Sequence, residues 1–286
     1  MPVWRTLETS VDGRRMTFDR AGQIGRPPVL LLHGIPGWRG TWHEAGGILA
    51  QECDVIAPDL LGFGDSAEPP AGCHADGQAK AIAALLDSLG LKSVHLAGFD
   101  FGGPVAVSLL RTQPQRFASL TLLATNVFRD TPIPAPLRIA KVPILGEAAF
   151  RLIMGKTGLS MMWFAAVRNK ETFKRDRYRQ ALQFPAGVKW TRQIFINSLR
   201  NLDVLYKPIE ESLSSVAAPA TVIWGDSDPF FPVSVGKRTA AAIPGARYLE
   251  FAQCGHFVPQ EQPFLVASAI AESIRTAAHD RRSIGA

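Results

Sequence analysis

Cysteine is scarce in this sequence: only Cys53, Cys73 and Cys254 occur among 286 residues. An odd number of widely spaced cysteines excludes a disulfide framework and lacks the spacing of a metal site. We therefore expect three reduced thiols, no metal and a cytoplasmic location.

Long apolar runs are also missing. No stretch approaches the roughly 20 apolar residues that a membrane span needs, and the first residues contain no apolar segment of the signal-peptide type. Hydrophobic residues still make up 47% of the chain, which is enough for a large buried core. We expect a globular protein without a membrane partner.

The charge is moderately basic, with 31 Lys and Arg against 25 Asp and Glu. The densest basic stretch, residues 168–179, is not accompanied by a nucleic-acid-binding motif. We interpret the excess as a solvated basic surface. The expected partner is a small-molecule substrate rather than nucleic acid, and the expected state is a monomer or homodimer.

Short apolar runs alternate with segments of helical periodicity. Continuous apolar runs are typical of strands buried on both faces of a sheet. They predict strands at residues 29–32, 54–57, 93–97, 120–124, 221–224 and 247–250. Such alternation predicts an α/β fold with a mostly parallel sheet flanked by helices.

The alternation stops after about residue 126. Residues 131–136 are rich in proline, which cannot continue a helix, and residues 137–213 contain helix-forming segments without a convincing strand. We therefore predict a helical lid at 128–213, inserted into a core made of residues 1–127 and 214–286. Side chains at the carboxyl ends of the strands should meet where open α/β sheets bind ligands.

Residues 98–103, Gly-Phe-Asp-Phe-Gly-Gly, join a predicted strand to a predicted helix. A reactive side chain between close glycines at such a turn is the layout of a nucleophile elbow. Serine is usual at its centre, but here the residue is Asp100. A carboxylate favours displacement at a saturated carbon, which leaves an ester on the enzyme.

Two further polar residues follow later predicted strands. Asp228 comes after the strand at 221–224, and His256 comes after the strand at 247–250. The order nucleophile, acid, histidine is the chain order of the α/β-hydrolase triad. All three side chains can therefore meet at one edge of the sheet.

The sequence resembles the α/β-hydrolase superfamily over about residues 14–127 and 214–275. The motifs that carry the resemblance are His33-Gly34-Ile35-Pro36, Asp59-Leu60-Leu61-Gly62-Phe63-Gly64-Asp65-Ser66, the elbow, Gly225-x-x-Asp228 and Gly255-His256. The elbow aspartate and Trp42 are similar to the branch that contains epoxide hydrolases and haloalkane dehalogenases. The lid matches nothing that we can place.

The resemblance implies a role for each residue of the triad. Asp100 would form an alkyl ester, His256 would activate the water that cleaves it, and Asp228 would orient the imidazole. Backbone N–H groups of Ile35 and Phe101 would form the oxyanion hole. No metal or organic cofactor is implied.

Other polar residues near these motifs have structural interpretations. The family pattern favours Asp228 over Asp226 as the acid. Asn126 lies where some dehalogenases carry their acid, but an amide cannot stabilise an imidazolium as a carboxylate does. We interpret His33, and the loop of Asp59 and Asp65, as structural.

The chain departs from both subfamilies at the leaving group. Dehalogenases usually place a tryptophan after the nucleophile and often a polar donor after His-Gly, but this chain has Phe101 and Ile35 there, whose side chains cannot donate. Epoxide hydrolases usually supply two lid tyrosines. The candidate substrate-binding residues are Trp38, Trp163, Tyr178 and Tyr206.

The expected function is therefore hydrolysis at a saturated carbon of a small, apolar substrate, with an epoxide ahead of a haloalkane because candidate tyrosines exist. Two alternatives stay open. One is an ester, lactone or carbon–carbon bond hydrolase in which Asp100 is not the nucleophile. The other is a receptor that binds a ligand without turning it over.

Overall fold

Eight strands form one sheet, in the order β1-β2-β4-β3-β5-β6-β7-β8. The computed structural model describes residues 3–168, 170 and 185–284. The strands are β1 (Arg5–Val11), β2 (Arg14–Gly22), β3 (Pro28–Leu32), β4 (Asp54–Pro58), β5 (Val94–Phe99), β6 (Phe117–Leu123), β7 (Ala220–Gly225) and β8 (Arg247–Phe251). β2 is antiparallel to β1 and β4, and the other pairings are parallel. The predicted mostly parallel sheet is confirmed.

Helices cover both faces of this sheet. Those of the described ranges are α1 (His43–Leu49), α2 (Ala75–Ser88), α3 (Gly102–Thr112), α4 (Leu145–Ile153), α5 (Lys156–Ala166), α6 (Pro185–Arg200), α7 (Leu202–Ser212), α8 (Val233–Ala242), α9 (Val258–Glu261) and α10 (Pro263–Ile284). None of them combines the length and the apolar character that crossing a bilayer requires.

The predicted strands have a simple physical cause. In β3, Val29 and Leu31 pack into the core on one face, and Leu30 and Leu32 pack into the core on the other. All four are fully buried, because successive side chains of a strand point to opposite faces. Each predicted strand is present, with its ends shifted by at most three residues.

The lid, residues 128–213 between β6 and β7, is helical wherever it forms regular structure within the described ranges. It has a small apolar cluster of its own, which includes Phe150, Met154 and Leu199. The last lid helix also joins the main core, since Ile209 of α7 packs there. The proposed domain boundaries stay a prediction.

A buried ion cluster ties the loop after β3 to its neighbours. The guanidinium of Arg39 contacts Asp19 on β2 (3.0 Å), Asp65 (2.8 Å) and Asp59, which follows β4. Burial raises the pKa of Asp59 to about 6, although the charge of Arg39 opposes this shift. Three carboxylates around one cation make Arg39 necessary to the folded state, since removing one partner of a buried pair leaves uncompensated charge.

The substitution Arg39→Met keeps most of the side-chain volume and removes the charge. We expect the free energy of unfolding to fall by about 3–5 kcal/mol at pH 8, measured by urea denaturation. Without the opposing cation the pKa of Asp59 should rise further above that of the unfolded chain. The folded state then gains protons as the pH falls, so the loss should be smaller at pH 5.

The control is Lys237→Met, which removes an exposed cation from a pair with Glu250 (3.3 Å) and should leave stability nearly unchanged. Equal effects of the two substitutions, or a loss for Arg39→Met that does not vary with pH, would contradict this account of the cluster.

Candidate active site

Asp100 occupies a sharp turn between β5 and α3. Its φ is +49°, a left-handed conformation that few residues other than glycine adopt. Glycine at position 102 lets this turn lie close to the end of β3, since a Cβ on Gly102 would collide with the carbonyl of Leu32. The backbone N–H of Asp100 donates to Leu123 (3.0 Å), and its carbonyl accepts from Gly103 (3.0 Å). The backbone therefore fixes where this carboxylate can point.

The two oxygens of the Asp100 carboxylate have different surroundings. Oδ1 accepts a hydrogen bond from the backbone N–H of Ile35 (2.6 Å). Oδ2 lies 3.5 Å from Nε2 of His256. Gly34 permits this close approach, since a Cβ there would collide with the Asp100 side chain. Oδ1 is thus held by backbone while Oδ2 faces the histidine.

The structure brings Asp228 and His256 into contact. Nδ1 of His256 lies 2.9 Å from Oδ2 of Asp228, and because a carboxylate only accepts, this nitrogen carries the hydrogen. The other oxygen of Asp228 accepts from the backbone N–H groups of Phe230 (2.8 Å) and Phe231 (3.0 Å). The imidazole therefore keeps its hydrogen on Nδ1 when it is neutral, and it presents Nε2 to Asp100.

The lid also contacts the histidine directly. The backbone N–H of His256 donates to the carbonyl of Ala166, the last residue of α5 (2.9 Å). The imidazole is 3% exposed and lies among phenylalanine rings, with centroids 5.0 Å away for Phe230 and 5.2 Å for Phe99. The imidazole is therefore largely shielded from bulk solvent.

The charges around His256 control its protonation. Burial would lower its pKa, but the charge of Asp228 and hydrogen bonds to Asp100 and Asp228 raise the pKa to about 10. With both carboxylates ionised, His256 is an imidazolium at neutral pH. It can act as a base only after one of these charges is removed.

Asp226 and His33 lie outside this arrangement. Asp226 accepts from the backbone N–H groups of Gln253 (3.0 Å) and Cys254 (3.2 Å), so it anchors the loop that carries the histidine. His33 bridges Gly34 and Leu60 through its two ring nitrogens, and burial lowers its pKa to about 4. Both therefore have structural positions.

Asn126 lines the cleft beside the triad but is committed to its own loop. Its Oδ1 accepts from Phe128 N–H (3.0 Å) and from Thr131 Oγ1 (2.6 Å), and its Nδ2 donates to the Phe128 carbonyl (2.9 Å). The acid that contacts the imidazole of His256 is therefore Asp228.

A cleft between the sheet edge and the lid opens onto Asp100 and His256. It contains about 820 Å³ of empty space, the open solvent at its mouth included. The lid contributes mainly apolar side chains to its wall, among them Met162, Phe195 and Leu199. The cleft therefore suits an apolar substrate that reaches the carboxylate.

Tyr206 of α7 lines this cleft and is buried. Burial raises the pKa of its hydroxyl, and the charge of Asp100 raises the pKa further. The hydroxyl therefore stays protonated at neutral pH and lies close enough to Asp100 to be influenced by its charge. Such a group can donate a hydrogen bond or a proton to an oxygen atom beside the carboxylate.

Two of the predicted substrate-binding residues pack elsewhere in the fold, and their role in binding stays a prediction. Trp38 packs against the guanidinium of Arg39 and the ring of His43, and Trp163 is buried in the core against Phe257. Neither belongs to the cleft wall within the described ranges. Apolar aromatic character in the sequence did not reveal which way either side chain points. Tyr178 lies outside the described residues.

Some supporting residues were not singled out from the sequence. Thr125 donates from Oγ1 to the carbonyl of Asp100 (2.6 Å), and Ser198 places a buried hydroxyl in the cleft wall. The sequence could have indicated a role for Thr125, because this residue follows the end of β6. Nothing in the sequence distinguishes Ser198, which lies inside a helix. Phe101 precedes the first turn of α3, and its role as a second oxyanion donor stays a prediction.

Within the described ranges, no three His, Cys, Asp or Glu side chains are grouped to hold a metal ion.

Comparisons with known proteins agree with this fold. A family profile described as "alpha/beta hydrolase fold" matches residues 27–145 and 154–263. Over 258 residues the chain is 26% identical to a 2-hydroxy-6-oxononadienedioate/2-hydroxy-6-oxononatrienedioate hydrolase from Paraburkholderia phymatum, covering 86% of each chain.

Two solved structures have similar folds at low identity. The epoxide hydrolase CorEH without ligand superposes with a TM-score of 0.81 at 22% identity, covering 96% of this chain and 99% of that one. The haloalkane dehalogenase DbeA from Bradyrhizobium elkani superposes with a TM-score of 0.83 at 19% identity, covering 97% and 100%. These likenesses support the fold alone.

The pKa of His256 is a direct test of this charge arrangement. We expect the His256 imidazole to titrate well above pH 6.5 in the wild type and at a lower pH in Asp100→Asn, measured by NMR of ¹⁵N-labelled histidine. Since the folded-state pKa is raised, the stability that this group contributes is complete below pH 6.5 and is lost as the pH rises towards 10. That loss should also be smaller in Asp100→Asn.

Asp226→Asn is the control and should leave the titration nearly unchanged. Titration of the wild-type imidazole near pH 6.5 would contradict the arrangement.

Proposed function

Because this chain belongs to the α/β-hydrolase family, whose profile spans most of its length, we propose that it hydrolyses an epoxide through an ester on Asp100. One observation carries the proposal. The elbow residue is a carboxylate with Oδ1 bound to the Ile35 N–H and Oδ2 beside His256. A carboxylate held in this way is a nucleophile for saturated carbon.

In the first step, Oδ2 of Asp100 attacks one carbon of the epoxide ring. A carbon–oxygen bond to Asp100 forms while the ring carbon–oxygen bond breaks. As the ring opens, its oxygen develops the charge of a strongly basic alkoxide and takes the proton of the Tyr206 hydroxyl. The product of this step is a hydroxyalkyl ester of Asp100 and a Tyr206 phenolate.

Formation of the ester removes the negative charge of Asp100. Hydrogen bonding to Asp100 and its charge both raise the pKa of His256, so the pKa falls when the ester forms. The imidazolium then loses its Nε2 proton, and this proton returns the Tyr206 phenolate to its hydroxyl form. His256 thereby becomes a base only when an ester is present.

In the second step, neutral His256 takes a proton from water, and the hydroxide attacks the carbonyl carbon of the Asp100 ester. The charge that develops on Oδ1 is stabilised by the N–H of Ile35, and Asp228 stabilises the imidazolium. The tetrahedral intermediate expels the alkoxide, which takes the proton from His256. The diol leaves, and the carboxylic acid left on Asp100 gives its proton to His256, which restores the Asp100 carboxylate and the imidazolium.

The cleft favours an epoxide over a haloalkane as the substrate. A departing halide needs hydrogen-bond donors beside the nucleophile, but the Ile35 and Phe101 side chains there have none. Trp163, the remaining sequence candidate, packs in the core. Tyr206 instead offers a protonated hydroxyl near Asp100, which suits an epoxide oxygen.

The covalent step can be observed by removing the base. We expect His256→Gln to accumulate the ester, since water is no longer activated. Intact-mass spectrometry after incubation with a panel of terminal epoxides should show a gain equal to the whole epoxide mass, mapping to Asp100. A haloalkane panel would add the alkyl group without the halide.

The matched control is the double variant Asp100→Asn with His256→Gln, which should gain no mass. An adduct that persists in the double variant would place the nucleophile elsewhere. A folded His256→Gln protein that gains no mass from either panel would contradict the ester mechanism and would direct attention to ester and lactone substrates.

Tyr206 can be tested separately from the nucleophile. We expect Tyr206→Phe to lower kcat for epoxides by about 10²-fold, the usual size of a general-acid contribution. The loss should be greatest in single-turnover ester formation, measured by rapid-quench mass spectrometry. Tyr248→Phe is the control because that hydroxyl bonds Glu250 on β8 (3.2 Å), away from the cleft. Unchanged ester formation in Tyr206→Phe would remove the residue from the mechanism.

A further inference from the structure

The cleft wall contains a buried hydroxyl that the proposed reaction does not use. Ser198 lies on α6 and is 5% exposed. Its Oγ has no hydrogen-bond partner among the described residues. The residue lines the same cleft as Asp100, His256 and Tyr206.

The surroundings of Ser198 make this unpaired hydroxyl costly. Its neighbours along the lid side of the cleft include Phe195, Leu199 and Leu202, and none of these side chains can form a hydrogen bond. A buried hydroxyl without a partner destabilises the folded state, because it gives up its hydrogen bonds to water and gains none in return. Packing alone would be satisfied equally well by alanine.

Other polar side chains of the cleft wall have partners or functions. Thr131 donates to Asn126, whose amide also binds the backbone of Phe128. Asp100 and His256 face each other, and Tyr206 is the proposed donor to the epoxide oxygen. Ser198 is left as the polar residue of the cleft wall whose hydroxyl has neither a partner among the described residues nor a proposed role.

We propose that Ser198 determines substrate specificity by donating a hydrogen bond to an oxygen atom that the substrate carries apart from its epoxide ring. The substrate class is then an apolar epoxide with one ether or hydroxyl oxygen in its chain. The apolar lid residues hold the hydrocarbon part, and Ser198 selects the position of the oxygen. This inference rests on the proposed function.

The test uses terminal epoxides of equal chain length in which one CH₂ group, at successive positions, is replaced by an ether oxygen. We expect the wild type to prefer one position over the all-carbon epoxide. In Ser198→Ala, kcat/KM for that compound should fall about five- to tenfold, the value of one hydrogen bond, and much less for the all-carbon epoxide. The wild-type preference should then largely disappear.

Two further variants separate binding from folding. Ser198→Thr retains the hydroxyl and should restore much of the preference. Ser212→Ala removes a lid hydroxyl that bonds the Ile209 carbonyl of its own helix (2.8 Å), and should leave the preference unchanged. Because the hydroxyl of Ser198 lacks a partner, Ser198→Ala should have a Tm equal to or above that of the wild type.

Several outcomes would overturn the inference. One is a wild type that shows no preference for any oxygen position. Another is a Ser198→Ala variant that loses the same factor on every epoxide, which would place Ser198 at the reacting atoms or in the fold. A marked fall in Tm for Ser198→Ala would indicate that its hydroxyl has a structural partner.

Failure of the proposed function is distinguishable from failure of this inference. Binding of unreactive dialkyl ethers and alkanes of matched length can be measured by calorimetry without turnover. One outcome is that no epoxide is hydrolysed, while one ether binds the wild type five- to tenfold more tightly than it binds the Ser198→Ala variant. The proposed reaction would then be wrong, and the proposed oxygen-binding site at Ser198 would stand. If epoxides react without any such difference, the oxygen site is wrong.

Discussion

The placement of His256 between two carboxylates is the interaction on which the chemistry of this site depends. Asp228 is fully buried and fixes the tautomer, while Asp100 lies 3.5 Å from the opposite nitrogen. Because these side chains are largely buried, each charge has a large effect on the others. One imidazole can therefore be an acid while Asp100 is free and a base while Asp100 is esterified. The proposed reaction changes the protonation of its own base.

Backbone geometry maintains this spacing. Asp100, Asp228 and His256 follow β5, β7 and β8, which end at the same edge of the sheet. A further constraint is the loop after β3, whose Ile35 N–H holds Oδ1 of Asp100. The buried cluster around Arg39 ties the same loop to the residues after β4. Stability and oxyanion geometry thus depend on one segment.

Much of the core could be predicted because strong constraints leave a local record in the sequence. Strands buried on both faces appear as apolar runs such as Val29–Leu32. A turn that brings backbone atoms into contact requires glycine at Gly102, and this requirement identifies Asp100 as the centre of the turn. The triad order then follows from the strand ends. For Tyr206 the sequence supplied a candidate, and only the fold placed it in the cleft.

The lid was less predictable because helical periodicity does not distinguish a core face from a cleft wall. Trp163 and Met162 are adjacent in α5, yet Trp163 is fully within the core, whereas Met162 is only partly buried against that core and lines the cleft. Ser198 has the same ambiguity, since serine inside a helix is normally read as solvated. In this protein the sheet edge carries the residues of the proposed reaction, and the lid supplies many of the apolar side chains of the cleft wall. Substitutions in the cleft wall can therefore change the preferred substrate while the charge coupling of Asp100, His256 and Asp228 stays intact.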